Sequence, residues 1–264
     1  PRPRANRLRQ LRPRIRLARK VTFGLPREFN WRCEAAPPRL EESARGYNRG
    51  MSRAPSRDVV PVDRNDSTRA GEVLSRAFYG TDQWTALLPD ATVRQRKLEQ
   101  MFTGTVKLAR AAGGIVERTP DFEAVALWLP PGRSIGLWPV VKSGFASARF
   151  AVTPPFPNLR RLTATMRRFD ETHRQQMPDP HWYLMALGVD PAFHGRGYGS
   201  SLVRWGIERA DEQNKAVYLE TKADANTGFY LNLGFEVLAE ITIETINLDF
   251  SLMLHRPGTP DGGV

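Results

Sequence analysis

Apolar residues recur along this chain with two periods, and they predict an alternating series of strands and helices. Val59–Val62 is a short β-branched run and reads as a first strand. From Asp63 to Tyr79, Ala70, Val73, Leu74 and Ala77 share one helical face, with Asp66 or Ser67 placed to cap it. Thr92 to Ala112 repeats the pattern with Leu98, Met101, Phe102, Val106 and Ala109, and Gly113-Gly114 stops it. Ile115–Glu117 and Ala124–Leu129 read as two strands joined around Thr119-Pro120-Asp121, closed by Pro130-Pro131-Gly132.

Residues 133–180 form a mixed insert, broken at Pro154, Pro155 and Pro157, with a helix from Asn158 to about Gln175. His181–Val189 is nearly continuously apolar and predicts a central strand buried on both faces, ended by Pro191. A glycine-rich turn leads to a helix from Gly199 to about Gln213, with Leu202, Val203, Ile207 and Ala210 on one stripe. Ala216–Thr221 is a strand, Asn226–Leu233 a short helix stopped by Gly234, and Val237–Ile243 with Ile246–Leu254 a final antiparallel pair. No internal repeat interrupts this order. It indicates a mixed α/β sheet covered by helices.

Charge alters the picture only at one end. The net charge of the 264 residues is +11, yet residues 1–50 alone hold 14 Lys and Arg against four acids. Residues 51–264 are close to neutral. The basic segment, rich in Arg and Pro and poor in periodic apolar residues, is expected to be a disordered tail outside the core. Three readings of it stand: an arm that binds polyanions, a targeting peptide, and a translated upstream stretch. Pro3 and Pro13 weigh against an amphipathic transit helix, and Met51 opens a segment of ordinary composition.

Several classes of function fall away. The one cysteine, Cys33, allows no intrachain disulfide and no cysteine-based zinc site. The four histidines include no His-x-x-x-His pair, which argues against a zinc hydrolase, and no metal is expected. No apolar run approaches the length of a membrane span, and no secretory signal opens the chain, so a cytoplasmic location is expected.

The turn His194-Gly195-Arg196-Gly197-Tyr198-Gly199-Ser200 carries the chemistry. Its glycines let the backbone approach a ligand and adopt positive φ. Amides at a helix N-terminus, backed by the helix dipole, suit a phosphate or pyrophosphate, and Arg196 adds a cation. No Gly-Lys-Ser/Thr ends the turn, so it is no Walker loop, and Gly-x-Gly-x-x-Gly is missing. A plain strand-to-helix turn is the structural alternative.

Further along stand Tyr218-Leu219-Glu220-Thr221, Asn226 and Tyr230-Leu231-Asn232-Leu233-Gly234-Phe235. With these in that order after the glycine turn, residues 58–256 resemble the GNAT family of acyl-CoA-dependent N-acyltransferases. Its Gln/Arg-x-x-Gly-x-Gly/Ala signature reads here from His194 to Gly199, and its second signature reads as Asn226, Tyr230, Gly234 and Phe235. Trp182-Tyr183-Leu184, Leu219-Glu220-Thr221 and Trp128 with Pro130 and Pro131 are similar to the puromycin N-acetyltransferase branch. One departure is His194, where the family has Gln or Arg.

The resemblance implies a GNAT-like, mostly antiparallel twisted sheet over residues 51–264, with acetyl-CoA as acyl donor and an amine as acceptor. It implies that Leu187, Gly188 and Val189 hold the pantetheine and polarise the thioester carbonyl. The amides of Gly195, Arg196, Gly197, Tyr198, Gly199 and Ser200, with His194, hold the pyrophosphate, and Asn226 binds pantetheine or positions the short helix. Tyr230 becomes the general acid for the departing thiolate, since a phenol pKa of about 10 exceeds a thiol value of about 8.5. Glu220 is a candidate base. Transfer is direct, and no cysteine follows Cys33 to carry an acyl group.

Plain alternatives stand beside these roles. Tyr230 would serve packing, Asn226 a helix cap, Glu220 a solvated strand end and His181 a strand edge, while Trp128, Trp138 and Trp182 read as core or pocket wall. Phe78, Tyr79, Trp84, Trp138 and Phe145 suggest an apolar acceptor pocket or core. Two other functional classes remain: an acyl-CoA-binding GNAT module without catalysis, which need not keep Tyr230, and a nucleic-acid-binding role for the tail. Neither the acceptor nor the oligomeric state is legible.

Overall fold

The computed structural model describes residues 59–134, 159–177, 179–224 and 226–259. The basic segment 1–50, the expected helix start at Asn158, and Trp138 and Phe145 lie outside the described residues. The elements run β1 (Val60–Pro61), α1 (Ser67–Phe78), α2 (Asp82–Leu87), α3 (Ala91–Ala111), β2 (Ile115–Arg118), β3 (Ala124–Leu129) and α4 (Leu159–Gln176). They continue with β4 (Trp182–Val189), α5 (Tyr198–Glu212), β5 (Val217–Lys222), α6 (Thr227–Leu231), β6 (Glu236–Ile243) and β7 (Leu248–His255).

The strands form one sheet in the order β1-β2-β3-β4-β5-β7-β6. Every neighbouring pair is antiparallel except β4 and β5, which are parallel and joined through α5. A parallel pair needs such a crossover, because a tight hairpin cannot return the chain in the same direction. The expected mixed, mostly antiparallel sheet flanked by helices is the fold observed.

Strand alternation sends residues to two cores. Val125 and Leu127 of β3 face Ala70, Val73 and Leu74 of α1 and Leu98, Phe102 and Val106 of α3. Ala124, Ala126 and Trp128 face the other way, onto Leu202, Val203, Trp205 and Ile207 of α5. All six β3 residues are therefore buried. Trp128, Trp182 and Trp205 meet with ring centroids 6.2–6.4 Å apart, so Trp128 and Trp182 are core residues. The Trp182 Nε1–H donates to Gln213 Oε1 at 3.1 Å. The α5 backbone can lie against this cluster because residue 206 is glycine; a Cβ there would stand 2.2 Å from Trp128.

Some local expectations need correction. The first helix begins at Ser67, after a 3₁₀ turn at Arg64–Asp66, and Asp66 makes no side-chain cap. The Ser67 hydroxyl donates to the Arg64 carbonyl at 2.9 Å instead. Helix α2 was not foreseen: its six residues bury only Trp84 and Leu87, too few to show a period. Trp84 is thus core, edge-on to Phe102 at 5.9 Å, and Phe78 stacks on the same ring at 5.0 Å. β4 is not buried throughout; Tyr183, Met185, Ala186, Leu187 and Val189 keep part of their surface accessible. No helix among the described residues is long and apolar enough to cross a membrane.

Candidate active site

The two central strands part company soon after they meet. β4 pairs with β5 only at Trp182↔Val217 and Tyr183↔Tyr218. From Leu184 onward β4 has β3 on one side and no strand on the other. The β3–β4 register supplies a cause. Trp128 faces Leu184 but Leu127 faces Ala186, so Met185 is an extra residue, and a bulge of this kind bends its strand. The opening leaves main-chain donors and acceptors in the middle of a sheet, groups that elsewhere would be paired. Leu187, Gly188 and Val189 lie along it. Gly188 is also where α1 comes close, since a Cβ there would stand 2.8 Å from Leu74 Cδ2.

The open edge runs into the glycine turn. Asp190 fixes the corner: its carboxylate accepts the Ala192 amide at 3.1 Å and the Arg76 Nε–H at 2.6 Å. A 3₁₀ turn at Pro191–Phe193 follows. Gly195 and Gly197 have φ of 75° and 84°. Side-chain-bearing residues reach that region only at a cost of about 1–2 kcal/mol, which is the local reason for glycine. The first ladder bond of α5 runs from the Ser201 amide to the Gly197 carbonyl at 3.0 Å. The preceding amides of the turn therefore lack helical acceptors and carry the positive end of the helix dipole.

The side chains of the turn are arranged as follows. His194 is exposed and folds back: its Nε2–H donates to the Val189 carbonyl at 3.0 Å. A carbonyl only accepts, so the proton sits on Nε2 and Nδ1 is the free nitrogen. The Arg196 guanidinium is exposed and lies over the Phe193 ring at 5.4 Å. The Tyr198 ring meets Phe193 edge-on at 6.2 Å. Ser200 is buried, and a Cβ on Gly199 would stand 3.2 Å from Val189 and 3.5 Å from Phe229. Gly199 thus lets α5, the end of β4 and α6 converge.

Asn226 stands at the start of α6. Its carbonyl accepts from the Phe229 amide at 3.1 Å, but its exposed side chain makes no capping bond. Tyr230 is buried at 8% exposure among the α5-side core residues, between the Phe229 and Phe235 rings at 4.9 and 5.6 Å. Burial pushes its phenol pKa up, so the hydroxyl keeps its proton.

Glu220 is on the opposite face of the sheet. Leu219 points to the α5 side, so Tyr218 and Glu220 point to the side of α4, where Tyr183 also lies. The Tyr183 and Tyr218 rings are 5.9 Å apart and flank the carboxylate. Glu220 sits deep, yet part of the residue remains accessible. Burial raises its carboxyl pKa from 4.5 to about 7, partly opposed by the two phenols. Its Oε1 and the Tyr218 hydroxyl have no hydrogen-bond partner of ordinary geometry. A buried carboxylate oxygen left so is a candidate for work on a ligand.

The structure thus gathers Leu187, Gly188, Val189 and residues 194–200 at one end of the opening, with Tyr230 and Glu220 on opposite faces of the sheet. Tyr183 and Tyr218 were missed, because aromatic residues in strands read as core. Their signal was the alternation that puts both on the face of Glu220. His173 was missed too; it comes from α4, and its ring stacks on Tyr218 at 4.7 Å.

The single parallel pair, its opening and the glycine turn define the mixed α/β fold that the family resemblance implies. Residues 163–235 match the model of the acetyltransferase (GNAT) family. An uncharacterized N-acetyltransferase of Schizosaccharomyces pombe is 24% identical over 206 residues, covering 75% of this chain and 83% of that protein. The crystal structure named as histone acetyltransferase HPA2 and related acetyltransferase from Corynebacterium glutamicum is similar with a TM-score of 0.54 and 24% identity. It is matched over 76% of this chain and 97% of the other. Over residues 163–235 the chain is thus similar to the GNAT acetyltransferase family, and over 76% of its length it shares the fold of that crystal structure.

Proposed function

We propose that this protein is an N-acetyltransferase that moves the acetyl group of acetyl-CoA directly to an amine of a small molecule or peptide. One observation carries the reading: the free edge of β4 leads straight into the positive, glycine-lined start of α5. An extended pantetheine can add along Leu187–Val189 as a strand would, and the amides of residues 195–200 face the pyrophosphate. His194 contributes by fixing the end of β4 through the Val189 carbonyl, and Arg196 as an exposed cation. The uncapping side chain of Asn226 is available to the pantetheine amides.

Acetyl-CoA supplies an activated thioester. The amine nitrogen bonds to its carbonyl carbon, the carbon–sulfur bond breaks, and the amine loses a proton. Amides on the free edge of β4 hydrogen-bond the carbonyl oxygen as it gains charge. Glu220, with a carboxyl pKa of about 7, takes the amine proton on the α4 face. Tyr230 donates to the thiolate from the other face. Its raised pKa makes it a reluctant acid, but a thiol in the same apolar setting is raised by the same desolvation, which narrows the gap.

The test is calorimetric titration of acetyl-CoA into the full chain, followed by an amine panel read by thiol release. Micromolar binding and amine-dependent thiol release are expected. A folded protein that binds no acetyl-CoA overturns the reading; binding without release to any amine favours a non-catalytic module.

A further inference from the structure

The base of the proposed reaction has no cation to hold its charge. Among the described residues no lysine or arginine acts on the Glu220 carboxyl. Lys222, the next residue on the same face of β5, is engaged in an ion pair with Asp82 of α2. On β7 the register partner of Glu220 is the apolar Leu252. On α4, Asp170 acts on Tyr183 and is itself an acid. His173 of α4 is held down at a pKa of about 4 by burial and by its neighbour His181, so it is neutral at pH 7. An ionised carboxylate buried in such company needs hydrogen-bond donors.

Two phenols supply them. Tyr183 and Tyr218 are register partners on β4 and β5, and Glu220 follows Tyr218 on the same face. Both hydroxyls favour the ionised carboxyl by hydrogen bonding, Tyr183 the more strongly. Burial and the neighbouring carboxylate raise both phenol pKa values, so both hydroxyls keep their protons and act as donors. The contact with Tyr218 is incomplete: its hydroxyl and Glu220 Oε1 are both buried, and neither has a partner of ordinary geometry. A donor and an acceptor left unpaired beside each other are each other's remedy, and the soft last torsion of a glutamate lets the carboxylate turn to join them. The rings are held in place from α4. The His173 ring packs 4.4 Å from Tyr183 and 4.7 Å from Tyr218, and its Nε2 stands 2.6 Å from His181 Nε2.

From this arrangement we infer that Tyr183 and Tyr218 are positioning residues for acetyl transfer: the ionised Glu220 turns Oε1 onto the Tyr218 hydroxyl while Tyr183 holds it from β4, and the carboxylate is fixed where the strands separate. The inference rests on the acetyltransferase reading above. Each carboxylate oxygen has room for two donors, so an oxygen that accepts from a phenol can still take the amine proton. Uptake of that proton weakens both phenol bonds, because a carboxylic acid is a poorer acceptor than a carboxylate. The phenols therefore favour the form of Glu220 that begins the cycle.

Tyr183→Phe and Tyr218→Phe in the full-length protein test the role, since each keeps the ring and removes one donor. Carbon-13 NMR of the glutamate carboxyls, with Glu220 assigned through Glu220→Gln, follows its titration whatever the activity. Each variant is expected to move the midpoint up by about one pH unit, with the larger move at Tyr183. The pH–rate profile should move with it, so that kcat at pH 7 falls about fivefold, most of the loss recovers by pH 9, and the acceptor KM stays within about twofold. An unmoved titration with turnover intact overturns the role and leaves the acetyltransferase reading standing. So does a loss of kcat that is equal at every pH and accompanies a lower melting temperature, which marks packing alone. A wild-type protein without turnover on any amine overturns that reading and the positioning role with it.

Discussion

Tyr183 and Tyr218 are the last register pair between the two central parallel strands, and the sheet opens immediately beyond them. Their rings close the paired end, 5.9 Å apart, and Glu220 follows two positions after Tyr218 on the same face. The candidate base thus stands where the strands separate, with core aromatics behind it and the opening in front.

The placement of Glu220 couples activity to stability through one proton. As a base it works ionised, so the transfer rate should rise with pH through about 7 and level above it. Folding has the opposite preference. Its folded pKa is raised above the ordinary 4.5, so its contribution to stability is full below about 4.5 and is lost as pH rises through about 7. Glu220→Gln, neutral at every pH, should therefore lower kcat about 10²-fold and raise the melting temperature by a few degrees at pH 8, with little change at pH 4. Rate profiles and thermal melts of both proteins check this. Equal rates with the same profile would remove Glu220 from the reaction.

Tyr230 contributes one atom to the chemistry and a ring to the core. Tyr230→Phe keeps the ring between Phe229 and Phe235, so the fold and the acetyl-CoA affinity should persist. Turnover should fall at least about tenfold, within the range general acids supply. Stopped-assay thiol release alongside calorimetry separates the two, and normal turnover would end the role.

At Gly197 the backbone has φ of 84° and forms the cap of α5. Gly197→Val meets a penalty there of at least about 1–2 kcal/mol, because a β-branched residue in the left-handed region is strained whatever the space around it. The turn should relax away from the phosphate-binding geometry, weakening acetyl-CoA binding at least about tenfold in calorimetry. An unchanged affinity would place the pyrophosphate elsewhere.

Legibility followed length and period. β3, β4 and α5 were readable because long apolar runs and stripes have few alternative explanations. Helix α2 was not, since Trp84 and Leu87 alone define its buried side. In the site, the glycines of the turn were readable because positive φ leaves its mark on composition. The bulge at Met185 was not, because the extra residue is as apolar as its neighbours and only the pairing with β3 reveals it. The histidine pair was hidden for a related reason. His173 and His181 meet only when α4 packs against the start of β4, a tertiary event with no local signature.

Gly206 reports on how tightly α5 is seated, and so on the platform that carries the glycine turn. Alanine in place of glycine in a helix interior ordinarily stabilises by about 1 kcal/mol. Here its Cβ would stand 2.2 and 2.3 Å from two ring carbons of Trp128, which itself lies fully buried between Trp182 and Trp205. Overpacking of this kind costs about 1–3 kcal/mol, so the loss should exceed the gain and Gly206→Ala should melt several degrees below wild type. Shrinking the ring gives the discriminating arm. Trp128→Phe alone leaves a void and should also destabilise, but the double variant should be more stable than the sum of the two losses, because each change relieves the other. Additive losses in the double variant would mean that α5 does not press on Trp128, and that the turn is held by its contacts with Val189 and Phe229 instead.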